Sequence, residues 1–291
     1  MIRISASDLT DPLVILRSWS IDPLVIAGLG VGLWWYLRAL GRLRRSAAEW
    51  PRGRTWAFVS GLVVLLLALA SPLDVYAERL LSVHMVQHLL LTLLAPPLLL
   101  MGAPLTLAIR TTTPARRDRL LRVLRGRVVG VLSNPALGWS LFVGAIYVSH
   151  LPAFYDATIR HAGLHAAEHL AYLGTALLFW RPIVGRDPGP SRLSYPARLF
   201  SLFLLMPAMT FLGLAIYGSD RVIYAPYVAT SPLLGTTAVS DQHLAGAIMW
   251  SAGMLFIVPA MVAVLVDWMR TDEREAERAD ARLDRAGAAG S

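Results

Sequence analysis

Histidine side chains recur at helical intervals in two apolar stretches of the sequence. His84 and His88 lie four residues apart, and His161, His165 and His169 repeat that interval twice. Residues at i and i+4 share one face of a helix, with Cβ atoms roughly 6 Å apart, so two such imidazoles can bind one ion. Neutral imidazole is also the commonest metal ligand in proteins. The spacing therefore predicts a metal site that includes His84, His88, His165 and His169.

A polar stripe runs along the second of these stretches. At 3.6 residues per turn, His161, His165, Glu168, His169 and Tyr172 fall within a sector of about 100°. A polar stripe on an apolar helix must face the interior of a bundle or a water-filled cavity. On a continuous helix His161 and His169 are roughly 12 Å apart, which predicts a deeper site and a shallower outer one. Glu168 is expected to orient an imidazole rather than to bind the ion.

Other candidate ligands stand outside these groups. His150 and His243 are single imidazoles near span ends, where either metal binding or interfacial hydrogen bonding can explain them. Met206 and Met209, spaced i and i+3, can offer thioethers to a soft ion or simply fill space in the core. Asp241 precedes His243 by two residues and is predicted to cap a helix or to contact the metal.

The residue types leave the identity of the metal open. Imidazole suits zinc, copper, iron and nickel, whereas thioether ligands favour Cu(I). A haem held by two facing histidines is a further alternative, although one haem needs fewer histidines than this chain offers. The chain has no cysteine, which excludes disulfides and thiolate metal sites.

Composition places these histidines in a membrane protein. Of the 291 residues, 56% are hydrophobic and only 16% are charged, and the mean hydropathy is +0.55. These values are typical of a multi-span helical membrane protein and exclude a soluble domain or an outer-membrane barrel. The net charge of +8 comes from arginine, since lysine is absent. The arginines lie in short loops, which indicates membrane topology rather than nucleic-acid binding.

Seven apolar stretches approach the roughly 20 residues that a transmembrane helix needs. Their approximate bounds are 22–40, 56–71, 84–109, 130–150, 164–181, 198–217 and 243–267. We therefore predict an all-α bundle of seven transmembrane helices that forms a single domain over residues 1–291, with a cytoplasmic tail from about 270 to 291. The third span contains Ala95-Pro96-Pro97 and Gly102-Ala103-Pro104, where a helix must kink or unwind.

Loop charges predict the orientation of the bundle. Arginines are concentrated in loops 41–55, 110–128 and 181–198, whereas the alternate loops hold one each, namely Arg79, Arg160 and Arg221. Positively charged loops remain in the cytoplasm, so the N-terminus is predicted outside and the C-terminus inside. All seven histidines then lie at the non-cytoplasmic ends of their spans.

Three motifs carry a resemblance to a known family. The first runs from Ser82-Val83-His84-Met85-Val86-Gln87-His88 to Ala95-Pro96-Pro97 and Met101-Gly102-Ala103-Pro104. The second joins His150-Leu151-Pro152, Tyr155-Asp156, His161, His165, Glu168 and His169 to Phe179-Trp180-Arg181-Pro182. The third is Asp241-Gln242-His243-Leu244-Ala245-Gly246 with Met249-Trp250. Together with the seven-span layout, they resemble the multi-span CtaG type of bacterial cytochrome c oxidase assembly factors over nearly the whole chain.

The resemblance implies a non-enzymatic protein of the bacterial plasma (inner) membrane that handles copper for a haem-copper oxidase. Its expected partners are the oxidase catalytic subunit and the lipid bilayer, with no nucleic acid; the oligomeric state is not predicted. His84, His88, His150, His161, His165 and His169 occupy the histidine positions of the family. His243 departs from the pattern, because the family is expected often to carry glutamine there.

The mechanism implied by this resemblance is copper transfer. Copper is expected to be captured by outer histidines such as His161 or His150 and to pass to a pocket formed by His84, His88, His165 and His169. It then reaches the oxidase subunit by ligand exchange. Two alternatives stay open: an intramembrane zinc-dependent hydrolase with Asp241 or Glu168 as base, and a haem-binding membrane protein.

Overall fold

Helices make up the regular structure of the chain. The computed structural model describes residues 17–45, 48–188 and 193–289; the rest of the predicted 1–291 domain lies outside the described residues. Helices α1 to α14 cover Pro23–Arg45, Arg52–Ala70, Pro72–Ala77, Leu81–Leu89, Ala95–Met101, Pro104–Thr111, Pro114–Leu124, Arg127–Leu132, Pro135–Ser149, Pro152–Arg160, Ala162–Val184, Tyr195–Tyr217, Ala238–Ala252 and Val258–Ala289. Short π-helical and 3-10 turns complete the helical structure, namely Leu90–Leu94, Gly253–Ile257, Ala225–Val228 and Ser231–Leu234. The described ranges contain no strand, so the all-α prediction is confirmed for them.

Several helices are suited to crossing a membrane. Five segments are long and apolar enough, namely Pro23–Arg45, Arg52–Ala70, Leu81–Thr111, Tyr195–Tyr217 and Ala238–Arg282. The pair α9 and α10, bent by 77°, raises the number to six if it forms one broken span. Helix α11, the predicted fifth span, forms over 23 residues but does not belong to this set. The histidines and glutamate of its N-terminal half lower its hydropathy.

The third span is interrupted at both predicted motifs. The π-helical turn Leu90–Leu94 precedes Ala95-Pro96-Pro97, where proline removes an amide donor and crowds the preceding helical turn. Helix α5 then ends, and Ala103 adopts a left-handed conformation with φ of 49°. Helix α6 begins at Pro104, whose fixed φ suits the first turn of a helix.

Packing brings two histidine-bearing helices side by side. Helix α4 packs against α3 and α13, while α11 packs against α9, α5 and the π-helical turn that follows α4. Phe142 of α9 and Phe179 of α11 stack with ring centroids 5.1 Å apart in the core. The rings of His165 and His169, in the N-terminal half of α11, lie 5.4 and 5.6 Å from those of His84 and His88 of α4.

Helices α12 and α13 approach each other closely through two glycines. A Cβ placed on Gly246 lies 2.5 Å from the Tyr217 backbone nitrogen and 2.6 Å from the Gly213 carbonyl oxygen. A Cβ on Gly213 lies 2.9 Å from the Gly246 carbonyl oxygen. Small residues are the usual means by which membrane helices come this close.

Replacing Gly246 with alanine is therefore expected to destabilise the protein by about 1–3 kcal/mol, because the added methyl group overpacks a backbone contact. Thermal unfolding in detergent measures this loss. Gly144→Ala is the matched control, since a Cβ there meets nothing within 4 Å. Equal unfolding temperatures for the two variants are incompatible with a tight α12–α13 contact.

Candidate metal centre

Two helices bring four potential ligands together. Helix α4 carries His84 and His88, and α11 carries His165 and Glu168; one ligand atom from each lies within 4.8 Å of all the others. The Nε2 atoms of His84 and His88 are 2.8 Å apart. With metal–nitrogen bonds of about 2.0 Å, that separation corresponds to an angle of about 90° at a shared ion. These four side chains, called the histidine cluster below, can therefore hold one metal ion.

His169 extends the cluster by one more imidazole. Its ring centroid lies 4.2 Å from that of His165 and 5.6 Å from that of His88. The His84 and His165 rings are 5.4 Å apart. The four histidines predicted as main ligands thus form a continuous group of rings, although His169 stands outside the tightest set of ligand atoms.

The cluster is buried except for the partly exposed His165, and it leaves several polar atoms without a hydrogen-bond partner. His84 and His88 are 0% and 4% exposed. Within the described part of the chain, buried atoms without such a partner include His88 Nδ1, His165 Nε2, His169 Nε2 and both Glu168 carboxylate oxygens. Each unsatisfied buried group costs about 1–3 kcal/mol. Such a concentration of orphaned nitrogen and oxygen atoms fits a cation that they can ligate.

Tyr227 orients the His84 imidazole. Its hydroxyl donates to the Ala77 carbonyl oxygen at 3.0 Å and lies 3.2 Å from His84 Nδ1. Burial raises the pKa of Tyr227 well above its ordinary value, so the hydroxyl keeps its proton. With that proton donated to Ala77, the Tyr227 oxygen accepts from the His84 Nδ1–H. This arrangement leaves the Nε2 lone pair of His84 directed into the cluster.

Asp241 holds the first turn of α4. Its carboxylate accepts hydrogen bonds from the Leu81 and Ser82 backbone amides at 2.6 and 3.3 Å, and from the Ser82 hydroxyl. A carboxylate at a helix N-terminus satisfies free amides and opposes the helix dipole. Two roles were predicted for Asp241, helix capping and metal contact. In the structure its carboxylate caps α4 and does not belong to the group of ligand atoms.

His150 lies beside the cluster, in contact with a methionine. Its Nδ1 donates to the Ile146 carbonyl oxygen at 2.7 Å, and its Nε2 is 3.4 Å from Met85 Sδ. Met209 is buried in the same core, whereas Met206 packs at the edge of that core and remains partly exposed. The two methionines predicted together therefore occupy different environments.

Two predicted histidines do not join the centre. His161 is exposed at the junction of α10 and α11, one helical turn before His165. His243 donates from Nε2 to the Ser219 carbonyl oxygen at 3.2 Å, and its ring lies 5.5 Å from that of Tyr217. His243 thus has the hydrogen-bonding role that was its alternative prediction.

Sequence reasoning missed three residues of this region as site residues: Met85, Met249 and Tyr227. Met85 precedes His88 by three residues, a spacing that places both side chains on one helix face. Met249 follows Asp241 by eight residues, which turns it about 80° away around the helix, so spacing indicates Met85 more strongly than Met249. Tyr227 lies in a 3-10 turn between α12 and α13, where no periodicity indicates which side chain turns inward.

Comparisons with known proteins agree with the motif resemblance. A family model described as cytochrome c oxidase caa3 assembly factor matches residues 34–271. An uncharacterized protein of Mycobacterium leprae (strain TN) is 34% identical over 277 residues, covering 91% of this chain and 42% of the relative. An uncharacterized protein of Mycobacterium bovis is 33% identical over 281 residues, covering 93% of this chain and 42% of the relative. The chain thus spans about two fifths of the length of these relatives, and no solved structure matches it.

The matched range begins within α1 and ends within α14, and it includes every residue of the histidine cluster. Because this range is most of its length, the chain belongs to the cytochrome c oxidase caa3 assembly factor family.

Proposed function

We propose that this protein assists the maturation of a haem-copper cytochrome c oxidase by binding copper and delivering it to the catalytic subunit. The observation that carries the proposal is the convergence of three imidazoles and one carboxylate within 4.8 Å, in a chain of an oxidase assembly family. Imidazole ligands suit copper, and the oxidase is an enzyme that must acquire it. The protein acts as a carrier, with copper as its cargo.

The proposal includes a topology of seven spans in a bacterial plasma membrane, with the N-terminus outside. Helix α11 is the additional span, since it packs against α9 and α5 within the bundle. His165 and Arg181 of α11 are roughly 24 Å apart along the helix axis, close to the thickness of the hydrocarbon core. With Arg181 at the cytoplasmic end, the histidine cluster faces the non-cytoplasmic side.

Transfer then proceeds by ligand exchange. His161, exposed one turn before His165, is the outer capture residue, because the other predicted candidate, His150, is buried. His84, held by Tyr227 with its Nε2 lone pair directed at His88 Nε2, and His88 receive the ion from the α11 side. Delivery needs moderate affinity and an open coordination position, unlike a closed structural site.

A zinc-dependent hydrolase is the second candidate function. The observation that favours it is the Glu168 carboxylate, which lies within 4.8 Å of the histidine ligand atoms. Three histidines with a nearby carboxylate are the parts that a catalytic zinc site needs, with zinc-bound water as nucleophile. Haem fits the cluster less well. Rings whose centroids are 4.1 to 5.6 Å apart are too close to admit a macrocycle between them.

Metal analysis of the full chain purified in detergent tests the proposal. We expect at least about one copper ion per chain, bound in preference to zinc, and transfer of that copper to a copper-free oxidase subunit. The absence of bound copper contradicts the proposal. Bound zinc with amidase or esterase activity supports the hydrolase, and a Soret band supports haem binding.

Copper binding is also expected to weaken on acidification. Protons compete with copper for imidazole nitrogens, but burial disfavours the charged imidazolium, so the fall in affinity, at least about tenfold, should come between pH 7.5 and about pH 3 rather than near neutrality. Equilibrium competition with a chromophoric copper chelator measures the change, with the protein's far-ultraviolet circular dichroism as a check on folding. An affinity that is constant over this range argues against imidazole ligation.

A further inference from the structure

A small cavity lies directly beside the histidine cluster. It has a volume of about 20 Å³, and its lining includes His88, His150 and three methionines, Met85, Met209 and Met249. About 10–15 Å³ is enough to admit one water molecule, so the space suits a single small ion or water. The three sulfur-bearing side chains come from α4, α12 and α13. The cavity is therefore lined by methionine side chains from three different helices.

These methionines differ from the others in the chain. Met85, Met209 and Met249 are 2%, 2% and 3% exposed, and all three line the cavity. The remaining methionines whose side chains the structure describes are partly or fully exposed, namely Met101, Met206, Met254, Met261 and Met269. Burial excludes competing water, while thioether sulfur selects Cu(I) over harder ions.

The contact between His150 and Met85 is not an ordinary hydrogen bond. The Ile146 carbonyl oxygen can only accept, so His150 Nδ1 must carry the proton that it donates over 2.7 Å. In neutral imidazole the other nitrogen then has a lone pair and no proton. That nitrogen, Nε2, lies 3.4 Å from Met85 Sδ, which is also a lone-pair donor. Two electron-pair donors therefore face each other without a proton between them.

The separation of the two atoms fits shared coordination of an ion. With a metal–nitrogen bond of about 2.0 Å and a metal–sulfur bond of about 2.3 Å, a distance of 3.4 Å corresponds to an angle of about 105°. This value is close to the tetrahedral angle. Backbone hydrogen bonding of Nδ1 is also the usual way in which a metal-binding histidine is oriented.

We propose that Met85 and His150, completed by Met209 and Met249, form a second copper site that takes monovalent copper. The inference rests on the proposed function and deepens it. His88 belongs to the histidine cluster and also lines the cavity, so the two sites are adjacent and have this residue in common. An ion passes between them as a bond to imidazole nitrogen breaks and a bond to thioether sulfur forms. Copper stays monovalent throughout, and no electron is transferred.

X-ray absorption of the full-length protein loaded anaerobically with Cu(I) tests this site. In the wild type we expect sulfur in the first coordination shell. The triple variant Met85→Leu/Met209→Leu/Met249→Leu should lose that sulfur signal and about one equivalent of Cu(I), because the thioether ligands are gone. Each methionine-to-leucine change nearly conserves volume and usually costs less than about 1.5 kcal/mol, so the triple variant should lose less than about 4.5 kcal/mol, and its circular dichroism checks that it folds.

Two further variants separate this site from the histidine cluster. Met206→Leu is the matched control, since Met206 lies on α12 but does not line the cavity, and it should keep the sulfur signal. His165→Ala should weaken the histidine cluster and leave the sulfur signal in place. Wild-type protein that binds copper with nitrogen and oxygen only overturns the second site and leaves the proposed function intact. Wild-type protein that binds no copper overturns both.

Discussion

Replacing His84 and His88 together with alanine is expected to remove copper from the histidine cluster and to leave the oxidase without active catalytic subunit. The two Nε2 atoms are 2.8 Å apart and both belong to the tight set of ligand atoms. Loss of an outer hydrogen-bonding partner alone commonly weakens metal affinity 10–100-fold, so loss of two ligands should exceed about 100-fold. Oxidase activity in membranes should fall with the copper content.

Three variants make this measurement decisive. His84→Gln/His88→Gln keeps more side-chain volume in the core and checks that the alanine effect is not only a cavity effect. His243→Ala removes an imidazole that donates to Ser219 outside the cluster and should preserve oxidase activity. Normal oxidase activity in cells that carry His84→Ala/His88→Ala contradicts delivery through this site. A loss of equal size in His243→Ala contradicts the assignment of the site to the cluster.

Replacing Glu168 with glutamine is expected to move stability and copper affinity in opposite directions. Both carboxylate oxygens are buried without a hydrogen-bond partner among the described residues. An unpaired buried carboxylate destabilises the metal-free protein. When a cation is bound, electrostatic attraction between the cation and the same carboxylate strengthens binding. Glu168→Gln should therefore raise the melting temperature of the metal-free protein by a few degrees, and it should lower copper affinity about 10–100-fold.

Paired measurements on one preparation test this opposition. Thermal unfolding without metal gives the stability change, and chelator competition gives the affinity change. Glu78→Gln is the control, because Glu78 is exposed just after α3 and should change neither quantity. A Glu168→Gln variant that is less stable and binds copper normally assigns Glu168 a structural role instead.

Helical spacing predicted which side chains of the histidine cluster share a helix face. His84 and His88 had to share a face once α4 formed, and His165 with Glu168 had to share a face on α11. The prediction for His161 depended on a helix that continues through it. Helix α11 begins at Ala162, so His161 lies at the preceding junction and is exposed.

Contacts between residues far apart in the sequence could not be predicted from helical spacing. His150 meets Met85 across 65 positions of the chain, and Tyr227 meets His84 across 143. Both contacts depend on how helices pack, which local periodicity does not specify. The number of spans shows a related difficulty. The histidines and glutamate of α11 lower its hydropathy, so this helix is less apolar than the five clearest spans, although the sequence predicted it as the fifth span.

The glycine contact between α12 and α13 has a consequence for ion discrimination. Gly213 lies one helical turn from Met209, and Gly246 lies just under one turn from Met249, so the backbone contact sets how far apart these two thioethers stand. In the proposed second copper site, this main-chain contact would limit the range over which the flexible methionine side chains can adjust to an ion. Widening this junction should shift the preference from copper towards larger soft cations such as silver, although no atom that touches the ion has changed.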